Sequence, residues 1–283
     1  MSLITVEELH RRLGEDAPGI RVADVRWYLN REGDGRRAYE GGHIAGAIFL
    51  DLTSDLSAPD GPGRHPLPEP ADFARLLGDM GIGDDDLVVA YDDSGGTSAA
   101  RLWWMLDDLG HGQVAVLDGG IQAWVAAGHA LSSDEPDWPP AELNLADRWT
   151  NTIDRPDLID RLGTVNLLDA RAPERYRGEV EPIDTAAGHI PTAINVPTAG
   201  NLDAGGRFLD AEQLRARFAA LHSPAMPVVT SCGSGTTACH NALAMRLAGM
   251  PDPILYVGSF SDWSRSGMPV ATGAEPGEPG DPR

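Results

Sequence analysis

The sequence predicts an α/β fold built twice over, as two tandem domains that are each an open, mostly parallel sheet with helices on both faces. Three observations lead there. Landmarks of the first half return in the second in unchanged order. In each half, short apolar runs alternate with helical stretches. The chain, at 283 residues, is long enough for two domains that each bury a core.

The repeat decides the architecture. Asp24-Val25-Arg26 returns as Asp169-Ala170-Arg171, at an offset of 145. Gly42-His43-Ile44 returns as Gly188-His189-Ile190, at 146. Val88-Val89 returns as Val228-Val229 at 140, and Trp124 as Trp263 at 139. Chance would not keep four landmarks in order, and small loop insertions account for the drift. The expected organisation is a first domain over residues 1–135, a linker over 136–149, a second domain over 150–272 and a flexible tail over 273–283. Ser132 to Pro140 has the composition of an extended connector, and Gly273 to Arg283 is rich in Gly, Pro and Glu.

Within each half the elements follow one another in the same way. Arg21-Val22-Ala23 and Val165 to Leu168 are short apolar runs that end at Asp. Leu87 to Tyr91 and Pro227 to Ser231 read as buried parallel strands. A Gly-containing turn follows each, then a helix over Ala99 to Leu109 in one half and Thr237 to Ala248 in the other. Val114 to Leu117 and Ile254 to Val257 are the next strands. In open α/β sheets the site lies beyond the carboxyl ends of strands, so both Gly-containing turns are candidate site loops.

Composition narrows the chemistry. A net charge of −21 argues against nucleic acid and anionic membrane surfaces as partners. All 22 basic residues are Arg, so no Schiff-base lysine is available. Two cysteines, Cys232 and Cys239, do not make a disulfide scaffold, and no His/Cys cluster with metal-ligand spacing surrounds them. No metal and no cofactor is expected. The N-terminus lacks an apolar signal core, and no apolar run approaches a membrane span, so a cytoplasmic location is the expectation.

Cys232-Gly233-Ser234-Gly235-Thr236-Thr237-Ala238 carries the chemistry. It follows a strand and opens a helix. Its two glycines let the backbone curl with N–H groups turned inward, and the helix start adds a partial positive charge. Together these favour a thiolate at Cys232 and a cradle for an anionic substrate group or a persulfide. Cys-dependent phosphatases place an Arg six residues after the nucleophile, where this chain has Ala238. Cys239 lies inside the helix, about two turns on from Cys232, where packing is the expected role.

These motifs resemble the tandem rhodanese family, which includes thiosulfate sulfurtransferases and 3-mercaptopyruvate sulfurtransferases. The resemblance rests on Asp24 to Leu29, Gly42 to Ala47, Arg101 to Trp104, Leu117 to Gly120 with Trp124, and the Cys232 loop. It implies two rhodanese-like domains, of which the first has lost its cysteine. Asp92 stands at the position of Cys232, four residues past Val88 as Cys232 is past Val228. One sulfur-carrying site per chain follows.

The loop reads C-G-S-G-T-T, similar to the mercaptopyruvate type (C-G-S-G-V-T) and unlike the thiosulfate type (C-R-K-G-V-T). The resemblance implies a relay of Ser234, His43 and Asp34 that deprotonates Cys232. It implies donor-carboxylate binding by Arg175; the loop residues Gly233, Gly235, Thr236 and Thr237 are expected to complete the binding site with their amides and hydroxyls. The family's second carboxylate-binding Arg falls at Ile183, a departure that leaves the donor open. Arg26 and Arg171 recur in both halves and read as structural ion pairs. The implied activity moves sulfane sulfur from a small donor, with 3-mercaptopyruvate favoured over thiosulfate, through a Cys232 persulfide to cyanide, a thiol or thioredoxin. A non-turnover sulfur carrier or binding module is the alternative of another class.

Overall fold

The computed structural model describes residues 2–14, 19–219 and 226–280. The chain forms two compact units. The first comprises residues 1–58, 68–150 and 204–208; the second comprises 59–67, 151–203 and 209–283.

In the first unit the chain runs through β1 (Leu3–Ile4), α1 (Val6–Gly14), β2 (Ile20–Asp24), α2 (Asp34–Gly41) and β3 (Ile48–Phe49). It continues through α3 (Pro70–Asp79), β4 (Leu87–Tyr91), α4 (Ala99–Asp108), β5 (Val114–Leu117) and α5 (Gly120–Ala126). The five strands lie in the order β1-β5-β4-β2-β3 and pair in parallel throughout. Progress from β1 to β2 to β3 runs one way across the sheet, and from β3 through β4 to β5 the other. Right-handed crossovers then put α1 and α2 on one face and α3 and α4 on the opposite face. Val6 and Leu9 of α1 share a core with Val22, Val89, Ala115, Ile121 and Trp124.

The second unit repeats this plan. Its elements are β6 (Thr152–Ile153), α6 (Arg155–Arg161), β7 (Asn166–Asp169), α7 (Pro173–Tyr176) and β8 (Ile194–Asn195). Then come a 3₁₀ turn (Thr198–Asn201), α8 (Ala211–Ala219), β9 (Val228–Ser231), α9 (Thr236–Leu247), β10 (Ile254–Tyr256) and α10 (Ser259–Trp263). The order β6-β10-β9-β7-β8 is that of the first sheet, again all parallel. The core holds Leu158, Leu167, Val229, Tyr256, Phe260 and Trp263.

The connector 136–149 is an ordered strap of the first unit. Trp138 Nε1 donates to Gly46 O at 3.0 Å, Ala141 N to Gly78 O at 2.9 Å, and Trp149 Nε1 to Pro68 O at 3.0 Å. The tail is held through Gly273 N to Arg177 O at 2.9 Å and Thr192 N to Pro276 O at 2.7 Å. Its last residues, 281–283, lie outside the described residues. Among the described residues no helix is long and apolar enough to cross a membrane, and no cluster of His, Cys, Asp and Glu fits a metal ion.

The repeated Asp-x-Arg motif closes on itself in both units. Arg26 Nη2 meets Asp24 Oδ2 at 2.6 Å and Gly42 O at 2.8 Å; Arg171 Nη2 meets Asp169 Oδ2 at 2.6 Å and Gly188 O at 2.7 Å. These pairs are buried and bind their own strand end to the following Gly-His-Ile segment.

Candidate active site

Cys232 is the first residue past β9, at the carboxyl end of a central strand. The chain must reverse there to start α9. Gly235 provides the turn at φ +80°, a left-handed conformation that costs L-residues about 1–2 kcal/mol. Its pro-chiral position also lies against Val257 O, where a Cβ would stand 2.4 Å away. The curled backbone aims its amides at the sulfur: Gly235 N donates to Cys232 Sγ at 3.1 Å and Ser234 N at 3.4 Å. The first turn of α9 adds the positive end of a 12-residue helix. Cys232 is 1% exposed, so water competes little with these donors.

The loop is pinned from beneath by α10. Phe260 N donates to Cys232 O at 3.0 Å and Ser261 N to Gly233 O at 2.9 Å. Cys232 N donates to Ser259 Oγ at 3.1 Å, and that hydroxyl donates to Tyr256 O at 2.8 Å. Ser259 sits at φ +51°, where the first unit has Gly120 at φ +59°. The side chain that a glycine lacks here anchors the Cys232 amide. Phe260, the next residue, lies 3.9 Å under the Arg171 guanidinium.

The first unit contains the same turn with a different occupant. Asp92 Oδ1 accepts from Ser94 N at 2.9 Å and Gly96 N at 2.8 Å, and Oδ2 from Ser98 N at 2.8 Å and Ala99 N at 2.9 Å. Ile121 N donates to Asp92 O at 3.1 Å, as Phe260 N does to Cys232 O. In both units the turn aims its backbone N–H groups at the side chain of its first residue, a carboxyl group in one and a sulfur in the other.

The relay implied by the family resemblance needs correction. His43 is fully buried, with Nδ1 2.9 Å from Tyr39 O and Nε2 3.1 Å from Asp134 O. Its copy His189 makes the same pair of contacts, with Tyr176 O at 2.8 Å and Glu275 O at 3.1 Å. Each ring also stacks on a tyrosine, Tyr39 or Tyr176. Both ring nitrogens of His43 are therefore committed to carbonyls of its own unit, a structural role. Burial lowers the His189 pKa, although its backbone hydrogen bonds work the other way. Asp34 opens α2 and pairs with Arg31 and Arg37, both largely exposed. That pairing ties down a surface helix start.

The histidine at the loop is His65. Its Nδ1 lies 2.8 Å from Ser234 Oγ and 3.4 Å from Thr236 Oγ1, in a buried setting. It arrives on the segment 59–67, which belongs to the second unit although it lies in the first half of the sequence. That segment is held by Arg64 N donating to Ser261 Oγ at 3.0 Å, and it packs so closely that a Cβ on Gly63 would meet Gly258 O at 2.6 Å. The drift of the repeat signals this segment. The offset falls from 146 at Gly42/Gly188 to 140 at Val88/Val228, so the first half carries six additional residues in between.

The loop residues Gly233, Gly235 and Thr236 are buried around Cys232, and Thr237 is half-buried in the first turn of α9. Arg175, from α7, stands beside them, with Nη1 3.6 Å from the Cβ position of Gly233. Its Nη2 meets Glu181 Oε1 at 2.7 Å and Asp184 Oδ2 at 3.1 Å. Ile183 gives no cation, and its amide donates to Glu181 Oε1 at 3.1 Å. Arg177 turns to the exposed Glu179 at 2.7 Å. Burial opposes the Glu181 charge, but Arg175 and the Asp184 and Ile183 amides outweigh it and lower the pKa. At Asp184 burial dominates over Arg64 and raises it. Cys239 lies in α9, its thiol donating to Gly235 O at 3.3 Å.

Comparison with known proteins places the chain. The rhodanese-like domain model matches residues 5–127 and 154–266. The chain is 48% identical over 280 residues to a probable 3-mercaptopyruvate sulfurtransferase of Pseudomonas aeruginosa, covering 96% of this chain and 98% of that one. It is 34% identical over 266 residues to the thiosulfate sulfurtransferase of Rattus norvegicus, covering 91% and 89%. Among solved structures, SseA from Escherichia coli, described with the 3-mercaptopyruvate sulfotransferases, superposes with a TM-score of 0.81 at 31% identity, covering 92% of this chain and 99% of that one. With two copies of the domain and whole-length relatives on every side, the chain belongs to the tandem-domain rhodanese sulfurtransferases.

Proposed function

We propose that the second unit transfers sulfur from 3-mercaptopyruvate through a persulfide on Cys232. The observation that carries this is the buried sulfur with two backbone N–H groups aimed at it, beside a Ser234–His65 pair. The Cys232 proton passes through the Ser234 hydroxyl to His65, and the thiolate attacks the donor sulfur. The Sγ–S bond forms and the donor C–S bond breaks. The electron pair leaves on the enolate of pyruvate, which takes back the proton held at His65. The outer sulfur keeps its own hydrogen. The loop amides hold the thiolate charge until the attack; that charge then leaves on the enolate, and the persulfide, its outer sulfur still protonated, is neutral when it forms. An acceptor, which is cyanide, a small thiol or the thiol of thioredoxin, then removes the outer sulfur and restores Cys232.

The direct test is the intact mass of the protein after treatment with 3-mercaptopyruvate, run beside pyruvate release. Wild type gains one sulfur atom, and Cys232→Ser gains none and releases no pyruvate. Full turnover by Cys232→Ser would sink the mechanism. Loading of wild type without turnover would favour the carrier alternative. Thiosulfate is the second reading, because two guanidiniums, those of Arg64 and Arg175, stand at Gly233 and a dianion suits them. Initial rates with the two donors decide between them, a tenfold preference being about 1.4 kcal/mol of discrimination.

A further inference from the structure

Arg64 has a position in the second unit that its place in the sequence does not announce. A Cβ built on Gly233 would stand 2.9 Å from Arg64 Nη2 and 3.6 Å from Arg175 Nη1. Two guanidiniums from different segments therefore converge on the residue next to the nucleophile. The carboxylate of Asp184 holds them there, one oxygen to each: Oδ1 pairs with Arg64 Nη1 and Oδ2 with Arg175 Nη2. The Asp184 side chain is fully buried, so this bridge is fixed rather than a passing surface contact. Asp184 in turn is set by Glu181, which accepts its amide at 3.0 Å.

The use of each guanidinium edge points to what is left for a ligand. Arg175 spends Nε and Nη2 on Glu181 and Asp184, and Nη1 faces Gly233. Arg64 spends Nη1 on Asp184. Its Nε is buried without a hydrogen-bond partner, and its Nη2 faces Gly233. Nε and Nη2 form the edge of a guanidinium that takes a planar carboxylate by two parallel hydrogen bonds. A buried donor without a partner is costly, and a carboxylate accepting at that edge would satisfy it.

We propose that Arg64 is the second carboxylate-binding residue of this site, supplying from segment 59–67 the contact that Ile183 cannot make. This rests on the proposed donor being an α-keto acid thiol, and it names the residue that selects for its carboxylate. The donor carboxylate docks on the Nε–Nη2 edge of Arg64 and on Nη1 of Arg175. Its thiol then points at the Cys232 loop. Specificity for a carboxylate donor thus comes from the residue next to the relay histidine, so one short segment supplies both the proton carrier and the donor clamp.

The test uses the full-length protein with 3-mercaptopyruvate and thiosulfate as donors. The variants are Arg64→Ala, Arg64→Lys, Ile183→Arg and the double variant Arg64→Ala with Ile183→Arg. Loss of a two-pronged charged contact should raise the KM for 3-mercaptopyruvate about 10- to 100-fold in Arg64→Ala, with kcat changed less than about threefold. Arg64→Lys, which keeps the charge without the fork, should recover less than half of that loss on a logarithmic scale. The double variant should regain at least about tenfold in KM, because a cation is returned to the same cluster from another side. Unfolding of Arg64→Ala would show as a lost calorimetric transition, and the Arg64→Lys comparison then carries the test. An unchanged KM for 3-mercaptopyruvate in Arg64→Ala, or a loss confined to thiosulfate, overturns the assignment. Absence of sulfur loading in wild type would instead strike the proposed function, so the two failures read differently.

Discussion

Replacing Gly235 by Ala isolates how much the active-site turn depends on a missing Cβ. The new methyl would sit 2.4 Å from Val257 O, and ordinary contact begins at 3.4 Å, so about 1 Å of separation must be found. Neither side yields easily. Gly235 N holds Cys232 Sγ at 3.1 Å, and the segment after Val257 holds the loop through Phe260 N and Ser261 N. The left-handed φ of +80° adds a backbone term of about 1–2 kcal/mol for an L-residue. Overpacking adds about 1–3 kcal/mol, giving a total of about 2–5 kcal/mol. Gly267 is the internal control: its φ is +76°, with nothing within 4 Å of its Cβ position. Gly267→Ala should cost only the backbone term. Calorimetric unfolding of both variants measures the difference, which is the steric term alone. Activity should follow. Drawing the Gly235 amide away from the sulfur removes one hydrogen bond to a charged group, about 1.5–3 kcal/mol, or roughly 10- to 150-fold in kcat/KM. If Gly235→Ala matched Gly267→Ala in stability and kept kcat/KM within about twofold of wild type, the account of the turn would be refuted.

His65→Asn should lower kcat/KM by about 10²- to 10⁴-fold, the range for loss of a proton carrier, and should flatten the pH profile of the loading step; a full-rate variant would remove His65 from the mechanism. Stability should also depend on pH through His189, whose pKa burial depresses. The unfolded chain, with an ordinary His near about 6.5, binds a proton that the folded unit refuses. The contribution is therefore fully present above about pH 7 and is lost as pH falls through about 6.5 toward the lower folded value. Melting temperatures taken from about pH 8 down to about 5.5 should decline in wild type and decline less in His189→Gln. An equal slope in both would assign the dependence elsewhere.

Much of the fold is legible in the sequence because the chain writes it twice. The strands at Leu87–Tyr91 and Val228–Ser231, and the helices that follow them, occur where the repeat and the apolar runs put them. The Cys232 turn is legible for the same reason, since glycines between a strand and a helix have few other uses. The partners of Cys232 are less so. His43 stands in a motif shared with His189, and duplication is itself a sign of a structural role, since both histidines bridge carbonyls of their own unit. His65 and Arg64 have no counterpart in the repeat, and linear order sets them in the wrong half. Only the six-residue drift of the offset marks the insertion that carries them. Ser259 hides for another reason. A serine in a left-handed position reads as an ordinary polar residue until its backbone angle is known.

The ownership of segments 59–67 and 204–208 has a consequence for how the chain is made. The first unit includes residues 204–208, where Phe208 N donates to Asp118 Oδ1 at 2.9 Å. Those residues leave the ribosome only after more than 50 further residues have followed Thr150. At about 5–20 residues per second that is a wait of roughly 3–10 s, long beside the folding time of a small domain. The nascent first unit therefore spends that interval without the segment whose amide meets the Asp118 carboxylate. The early-made 59–67 segment waits in the opposite sense, for a unit whose last strand is not yet synthesised. A protein cut at the apparent boundary near residue 150 would yield two fragments that each lack a piece of themselves, and the fragment carrying Cys232 would lack Arg64 and His65.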